Sequence, residues 1–157
     1  MPQNKRIRST KPILGTLLLV VAVGGVSPAR ADDGKLPGQI AVIVHRDNDI
    51  ENVTLAQLAE LFLKRRREWR SGKRVLVLNR KARSPVRAAF ERRVIGKSPE
   101  DVAAFWIDQR IRGVGNPPRA IASGGIVQKI VSMHREAVSY VVAEDVKAGV
   151  KVLRIEG

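Results

Sequence analysis

Short apolar runs alternate with helical patterns along most of this chain, and this alternation limits the fold more than any other feature. Residues 39–44 and 75–78 are continuous apolar runs, typical of strands that are buried on both faces. Residues 137–142 form a third run, and residues 150–155 alternate in the manner of an edge strand. The sequence therefore predicts an α/β sandwich with a largely parallel or mixed sheet.

Four helices are predicted between these strands, each from a start signal. Residues 54–57 form a capping box, Ser84 and Ser98 each precede a proline, and Ser123 caps the last helix. Residues 112–118 contain two glycines and paired prolines, so they must form a loop. The apolar residues expected to face the core from the helices are Leu55, Leu58, Ala59, Leu61, Phe62, Val86, Ala89, Phe90, Val94, Val102, Phe105, Trp106, Ile126, Val127, Ile130 and Val131.

The first 31 residues have the layout of a secretory signal peptide. A basic start is followed by an apolar run at residues 13–26, and Ala29 and Ala31 supply the small residues that a signal peptidase needs. The run is shorter than the roughly 20 residues that cross a bilayer. We therefore expect cleavage after Ala31 and export to a bacterial periplasm; an uncleaved membrane anchor is the alternative.

The chain then divides into a signal peptide (1–31), a polar lead-in (32–38) and one α/β domain (39–157). The formal net charge is +14, and the five basic residues of the leader leave 24 basic and 15 acidic residues beyond it, a net charge of +9. In an exported protein this charge favours small anions, anionic lipid or acidic polymers. Aromatic residues make up only 4%, so we expect no nucleic-acid partner.

The sequence offers no constellation for catalysis or for metal binding. There is no cysteine, which excludes disulfides, thiolate metal sites and a cysteine nucleophile. The two histidines, His45 and His134, lie far apart and in no known local motif. Residues 96–98 resemble the end of a phosphate-binding P-loop, but the glycine required five residues earlier is replaced by Glu91. We expect a protein that is not an enzyme, without cofactor or metal.

The basic run Lys64, Arg65, Arg66 and Arg67 is the densest cluster of charge in the sequence. It follows the first predicted helix, where cations suit the negative end of the helix dipole. A solvated helix end and a contact surface for an anionic partner both remain open.

Residues 80–87 carry the clearest signal for a ligand. They follow a buried strand and begin a helix, whose first backbone N–H groups are unpaired and attract anions. The Ser84 hydroxyl can donate a hydrogen bond, and Arg80, Arg83 or Arg87 can add bidentate charge. From the residues alone, a site for a small tetrahedral anion and an ordinary capped helix with solvated arginines both remain open.

Two stretches of the sequence resemble the phosphate-binding protein of phosphate ABC transporters. Residues 61–69 are similar to a stretch that ends a helix in that family and closes on a tryptophan, with Lys64 in place of the family's glycine. Residues 80–86 are similar to the family motif Arg-x-Asp-Gly-Ser-Gly-Thr, which grips phosphate, and Arg80 and Ser84 match it.

The resemblance covers roughly residues 39–155, since residues 113–118 and 137–140 also resemble short family members. It implies a three-layer α/β sandwich with a mixed sheet, a single lobe of the type 2 periplasmic-binding-protein-like fold. The full family has two lobes and about twice this length. Its first lobe, with a carboxylate that discriminates among anions, has no counterpart here, and Ala82, Arg83, Pro85 and Val86 replace motif residues.

These implications give two hypotheses. In the first, the protein binds inorganic phosphate or a similar oxyanion through the Arg80 charge, the Ser84 hydroxyl and the backbone amides of Val86 and Arg87. One lobe offers half the contacts, so a membrane transporter or a second lobe supplied in trans would complete the cleft. In the second, a protein-interaction module of the same fold has lost the ligand and uses residues 64–67 on an acidic partner or envelope surface.

Overall fold

The structure, a computed structural model, describes residues 35–36 and 40–156. The predicted signal peptide and most of the lead-in lie outside these residues, so cleavage after Ala31 stays a prediction. None of the helices in the described part has the length and apolar character needed to cross a membrane.

The described residues form strands and helices in alternation. The strands of the described part are β1 Lys35–Leu36, β2 Ile40–His45, β3 Asn52–Thr54, β4 Leu76–Arg80, β5 Arg119–Ile121, β6 Ala137–Val142, β7 Val150–Val152 and β8 Arg154–Glu156. The α-helices are α1 Leu55–Phe62, α2 Pro85–Phe90, α3 Pro99–Ile111 and α4 Gly124–Val131. A π-helical turn, Glu91–Ile95, extends α2, and a short 3₁₀ turn, Ala143–Asp145, follows β6.

The main sheet has the strand order β1-β2-β6-β4-β5, and β7 also pairs with β2. Strand β2 is antiparallel to β6, with Val42 opposite Tyr140. Strand β4 is parallel to both β6 and β5. Strands β3 and β8 form a separate parallel pair. The predicted mixed sheet is therefore confirmed.

Both faces of this sheet are covered, because side chains alternate along β2. Ile40, Val42 and Val44 pack with α1 and α2 on one face. Ala41 and Ile43 pack with α4 on the other face. All five side chains are buried, as expected for a strand without a solvent-facing side. The three-layer α/β sandwich predicted from the sequence is confirmed.

Three of the predicted helix starts show the expected caps. The Gln57 amide donates to Thr54 Oγ1 at 3.2 Å and the Thr54 amide donates to Gln57 Oε1 at 3.1 Å, which completes the capping box. Ser98 Oγ accepts from the Asp101 amide at 3.0 Å, and Ser123 Oγ accepts from the Ile126 amide at 3.2 Å. Ser84 stands at the N-cap of α2 but makes no such bond.

Several details differ from the sequence-based expectations. Strand β4 continues through two polar residues to Arg80, because both are buried against neighbouring elements. The short strands β1, β3 and β5 are not among the predicted strands. The run at 150–155 divides at the buried Leu153 into β7 and β8, which pair with different strands. Ile126 is 52% exposed, because α4 turns Val127 and Val131 toward the sheet.

Candidate functional site

The residues predicted to bind an anion lie at one corner of the sheet, where the parallel strands β4 and β5 end. Helix α2 follows β4 and helix α4 follows β5. The Lys81 amide donates to the Ile121 carbonyl at 3.2 Å and holds the two strand ends together. The starts of two helices therefore meet at one edge of the sheet, the position where ligands bind in open α/β folds. We call this the β4–β5 corner.

Arg80 is the last residue of β4 and is only 9% exposed. Its Nη2 donates to the Ala122 carbonyl at 3.5 Å. Its Nη1 lies 3.1 Å from the point where a Cβ on Gly124 would stand, so the guanidinium packs against the first turn of α4. Its Nε is buried and has no hydrogen-bond partner within residues 40–156.

No carboxylate forms an ion pair with Arg80 among the described residues. The guanidinium therefore carries an uncompensated charge, and its neighbour is the positive end of the α4 dipole. A buried charge without a counter-charge is costly. An anion at the β4–β5 corner would satisfy both the guanidinium and the helix start.

A buried hydrogen-bond network fixes the end of β4. Asn79 Oδ1 accepts from the Arg80 amide at 2.8 Å and from the Tyr140 hydroxyl. Burial raises the pKa of Tyr140, so the phenol keeps its proton and remains a donor. Tyr140 is itself stacked on Phe90 with ring centroids 3.8 Å apart. The backbone that presents Arg80 is thus anchored to the core.

The start of α2 has an unused hydroxyl, since Ser84 Oγ makes no capping bond. The Ser84 carbonyl accepts from the amides of Arg87, at 3.0 Å, and Ala88, at 3.1 Å. The Arg87 amide, predicted to bind the anion, is therefore already paired. The Val86 amide has no backbone partner among residues 40–156.

The Arg87 side chain is held by hydrogen bonds within the protein and does not project into solvent. Its Nε donates to Glu91 Oε1 at 2.6 Å and its Nη1 donates to the Arg80 carbonyl at 3.0 Å. The side chains of Arg87 and Glu91 are 13% and 2% exposed. Burial raises the pKa of Glu91, and the Arg87 hydrogen bond opposes that rise. This pair ties the first two turns after β4 to the strand end.

The basic run lies beyond the end of α1. Lys64 has a left-handed backbone with φ 54°, and its Nζ lies 3.4 Å from the Pro117 carbonyl. Desolvation, with the charge of Arg67, lowers the pKa of Lys64. The Arg65 guanidinium lies over the Phe105 ring, 5.9 Å from its centroid. Lys64 and Arg67 also line a cleft of about 300 Å³ with Trp106, and neither Arg80 nor Ser84 lines this cleft.

Sequence reasoning missed the contribution of α4 to this corner. Gly124 leaves the space that the Arg80 guanidinium occupies, and a side chain there would meet Nη1. The available signal was Ser123 followed by two glycines at a helix start. This signal could not be connected with Arg80 from the sequence, because the two are brought together by β5, which the sequence did not predict.

The fold is similar to solved structures of phosphate-transport binding proteins. A phosphate ABC transporter substrate-binding protein with bound phosphate from Clostridium perfringens matches with a TM-score of 0.60 and 19% identity over 74% of this chain and 44% of that one. An ABC-type phosphate transport receptor from Vibrio cholerae matches with a TM-score of 0.59 and 20% identity, over 74% and 46%. PstS from Borrelia burgdorferi matches with a TM-score of 0.57 and 15% identity, over 74% and 47%.

These likenesses show a shared periplasmic-binding-protein-like fold. This chain spans less than half the length of the structures that it resembles. The sequence matches no protein-family model and no curated protein.

Proposed function

We propose that this protein binds a phosphate-like oxyanion at the β4–β5 corner, with no chemical step. The observation that carries the proposal is the Arg80 guanidinium, which is buried, unpaired with any carboxylate among the described residues and packed against the start of α4. The phosphate-binding proteins of the same fold support this choice of ligand.

Each contact has its own contribution. Arg80 supplies the charge of its guanidinium group, and a guanidinium matches the oxygens of a tetrahedral anion. The Ser84 hydroxyl donates one hydrogen bond, and the Val86 amide donates another from the start of α2. The first amides of α4 add the positive end of a second helix dipole. Arg87 acts by holding the Arg80 backbone in place through the carbonyl bond at 3.0 Å.

The site is only half enclosed, because one lobe covers one side of the anion. We expect weak binding by the isolated chain and tighter binding when a second lobe in trans, or a membrane transporter, closes over the β4–β5 corner. Export to the periplasm, predicted from residues 1–31, would place the protein where such partners and free phosphate occur.

Calorimetric titration of the purified protein with phosphate and with sulfate tests this function. Saturable phosphate binding should weaken at least tenfold in Arg80→Gln and by a smaller factor in Ser84→Ala, since a charged hydrogen bond contributes more than a neutral one. Arg83→Ala is the matched control, because Arg83 is exposed on the same segment. Unchanged binding in Arg80→Gln, with the fold intact by circular dichroism, would refute the assignment.

A second candidate function is that of an interaction module with a basic face, and one observation favours it. Helix α3 buries Val102 and Trp106, yet it exposes Ile107 by 50% and Ile111 by 80%. A helix with apolar residues on two opposite faces is usually covered on both. The basic run at 64–67 lies near α3, since Arg65 contacts Phe105. Binding to an acidic partner through this surface should weaken steeply with salt and should not respond to Arg80→Gln.

A further inference from the structure

A second cleft lies at the end of the sheet opposite the β4–β5 corner, where β4 and β6 begin. Its volume is about 630 Å³, within the usual range of small-molecule sites. The loop after β2, the segment before β4 and the connection from α4 to β6 supply its walls. The residues that define its chemistry are Asp49, Ile50, Trp69, Arg74, Arg135 and Glu136.

The cleft has a buried donor without an acceptor. Trp69 is 5% exposed, and its indole Nε1 has no hydrogen-bond partner within residues 40–156. Buried N–H groups in folded proteins are nearly always paired, so this unsatisfied donor is an exception. The atom itself is shielded from solvent, so a ligand in the cleft contacts the ring of Trp69 rather than this N–H group. Together with the half-buried Ile50, Trp69 gives the cleft an apolar surface.

One wall of the cleft is held in place by hydrogen bonds. Asn48 is 8% exposed, and its Nδ2 donates to the Arg135 carbonyl at 2.7 Å while its Oδ1 accepts from the Ile50 amide at 2.9 Å. These bonds join the loop after β2 to the connection before β6. The cleft is therefore built from two segments that are tied together independently of any ligand.

Two guanidinium groups and one carboxylate in the cleft lack a full counter-charge. Asp49 forms an ion pair with Lys73, which neutralises both groups. Arg74 and Arg135 form no ion pair among the described residues. Arg135 Nη2 does donate to the Asp47 carbonyl at 3.3 Å, and its charge helps to lower the pKa of Asp49, after the larger effect of Lys73. Glu136 Oε1 lies 3.5 Å from His134 Nδ1, an imidazole that is charged only when protonated, and Glu136 forms no ion pair with a lysine or arginine of the described part. The cleft thus offers free charges of both signs beside an apolar surface.

We propose that this cleft binds a small zwitterion of the amino-acid or dipeptide class. The ligand carboxylate pairs with Arg74 and Arg135, because guanidinium groups bind carboxylates in bidentate fashion. The ligand ammonium pairs with Glu136, and an apolar side chain covers Ile50 and Trp69. This site does not depend on the oxyanion site, since the two lie at opposite ends of β4.

Calorimetric titration of the full chain with the dipeptide leucyl-leucine tests the assignment. Saturable binding is expected, and Arg74→Gln combined with Arg135→Gln should weaken it at least tenfold. Glu136→Gln should also weaken it. C-terminal amidation of the dipeptide should reproduce the arginine effect, and N-terminal acetylation should reproduce the Glu136 effect. Arg80→Gln is the control that should leave dipeptide binding unchanged, which separates this site from the oxyanion site.

The side chains of Arg74, Arg135 and Glu136 are exposed, so variants at these three positions should keep the melting temperature of the parent protein. Absence of saturable heat with leucyl-leucine would overturn the proposal. So would equal affinity for the amidated or the acetylated dipeptide, because each removes one of the two charges. Binding that is lost in Arg80→Gln but retained in the arginine double variant would also overturn it.

Discussion

Lys64 has a left-handed backbone conformation, which residues with a Cβ rarely adopt. Its φ of 54° places it just past the end of α1, and the hydrogen bonds there form a Schellman motif. The Arg65 amide donates to the Glu60 carbonyl at 2.9 Å and the Lys64 amide donates to the Leu61 carbonyl at 3.0 Å. Glycine is favoured at this position because it has no Cβ. The family that the sequence resembles has glycine at this position, and the lack of a Cβ explains that preference too.

Replacing Lys64 by glycine should therefore stabilise the protein. We expect a gain of about 0.5–1 kcal/mol, because relief of the left-handed strain exceeds the added entropy of the unfolded chain. Chemical denaturation measures the difference. Lys64→Ala is the matched control, since it removes the same side chain and keeps the strain. A glycine variant less stable than the alanine variant would contradict this account.

The ion pairs of Arg87 and Arg112 have the same spacing along a helix but different surroundings. Glu91 is buried and Arg87 is largely covered, whereas the side chains of Arg112 and Asp108 are 60% and 52% exposed. Loss of one partner in a buried pair leaves an uncompensated charge, while an exposed pair contributes little.

Glu91→Ala should therefore lower the free energy of unfolding by about 3–5 kcal/mol. Asp108→Ala, the control with the same i, i+4 geometry, should lower it by less than about 1 kcal/mol. Urea denaturation of the two variants beside the parent gives both values. Equal losses in the two variants would show that burial of the Arg87 pair has no energetic consequence.

At the scale of elements, the sequence predicted features that depend on neighbouring residues, such as helix caps. It did not predict features that depend on pairing between distant strands. Residues 54, 98 and 123 cap helices as the sequence indicates, because a cap needs only the next three residues. Strand β5 has three residues and no apolar pattern, so only its pairing with β4 defines it. The division of residues 150–155 likewise follows from two different partner strands.

The two Ser-Pro helix starts should respond differently to the same substitution. Ser98→Ala removes a cap bond of 3.0 Å and should cost about 1 kcal/mol of stability. Ser84→Ala removes no cap bond and should cost little. Thermal denaturation of both variants provides the comparison. A larger loss in Ser84→Ala would mean that its hydroxyl has a structural role in the absence of ligand.

At the scale of the whole molecule, the sequence predicted the layers of the fold and supplied one half of the proposed site. Arg80 and Ser84 could be proposed as ligand residues because a buried strand leads directly into a helix start. The α4 half could not, because Gly124 reaches Arg80 only through the parallel pairing of β4 with β5. The hydrogen bond from Arg87 to the Arg80 carbonyl was also not predicted, because nothing in the sequence shows that these two arginines are largely covered.

The central claim is that a phosphate-like anion binds against the Arg80 guanidinium. The most direct measurement is the Nε–H resonance of Arg80 in ¹⁵N-labelled protein during phosphate titration, assigned by its absence in Arg80→Gln. A saturable shift with phosphate, and none with chloride at equal ionic strength, is the predicted result. A resonance that stays fixed through millimolar phosphate, in a folded protein, would contradict the claim that this corner binds the anion.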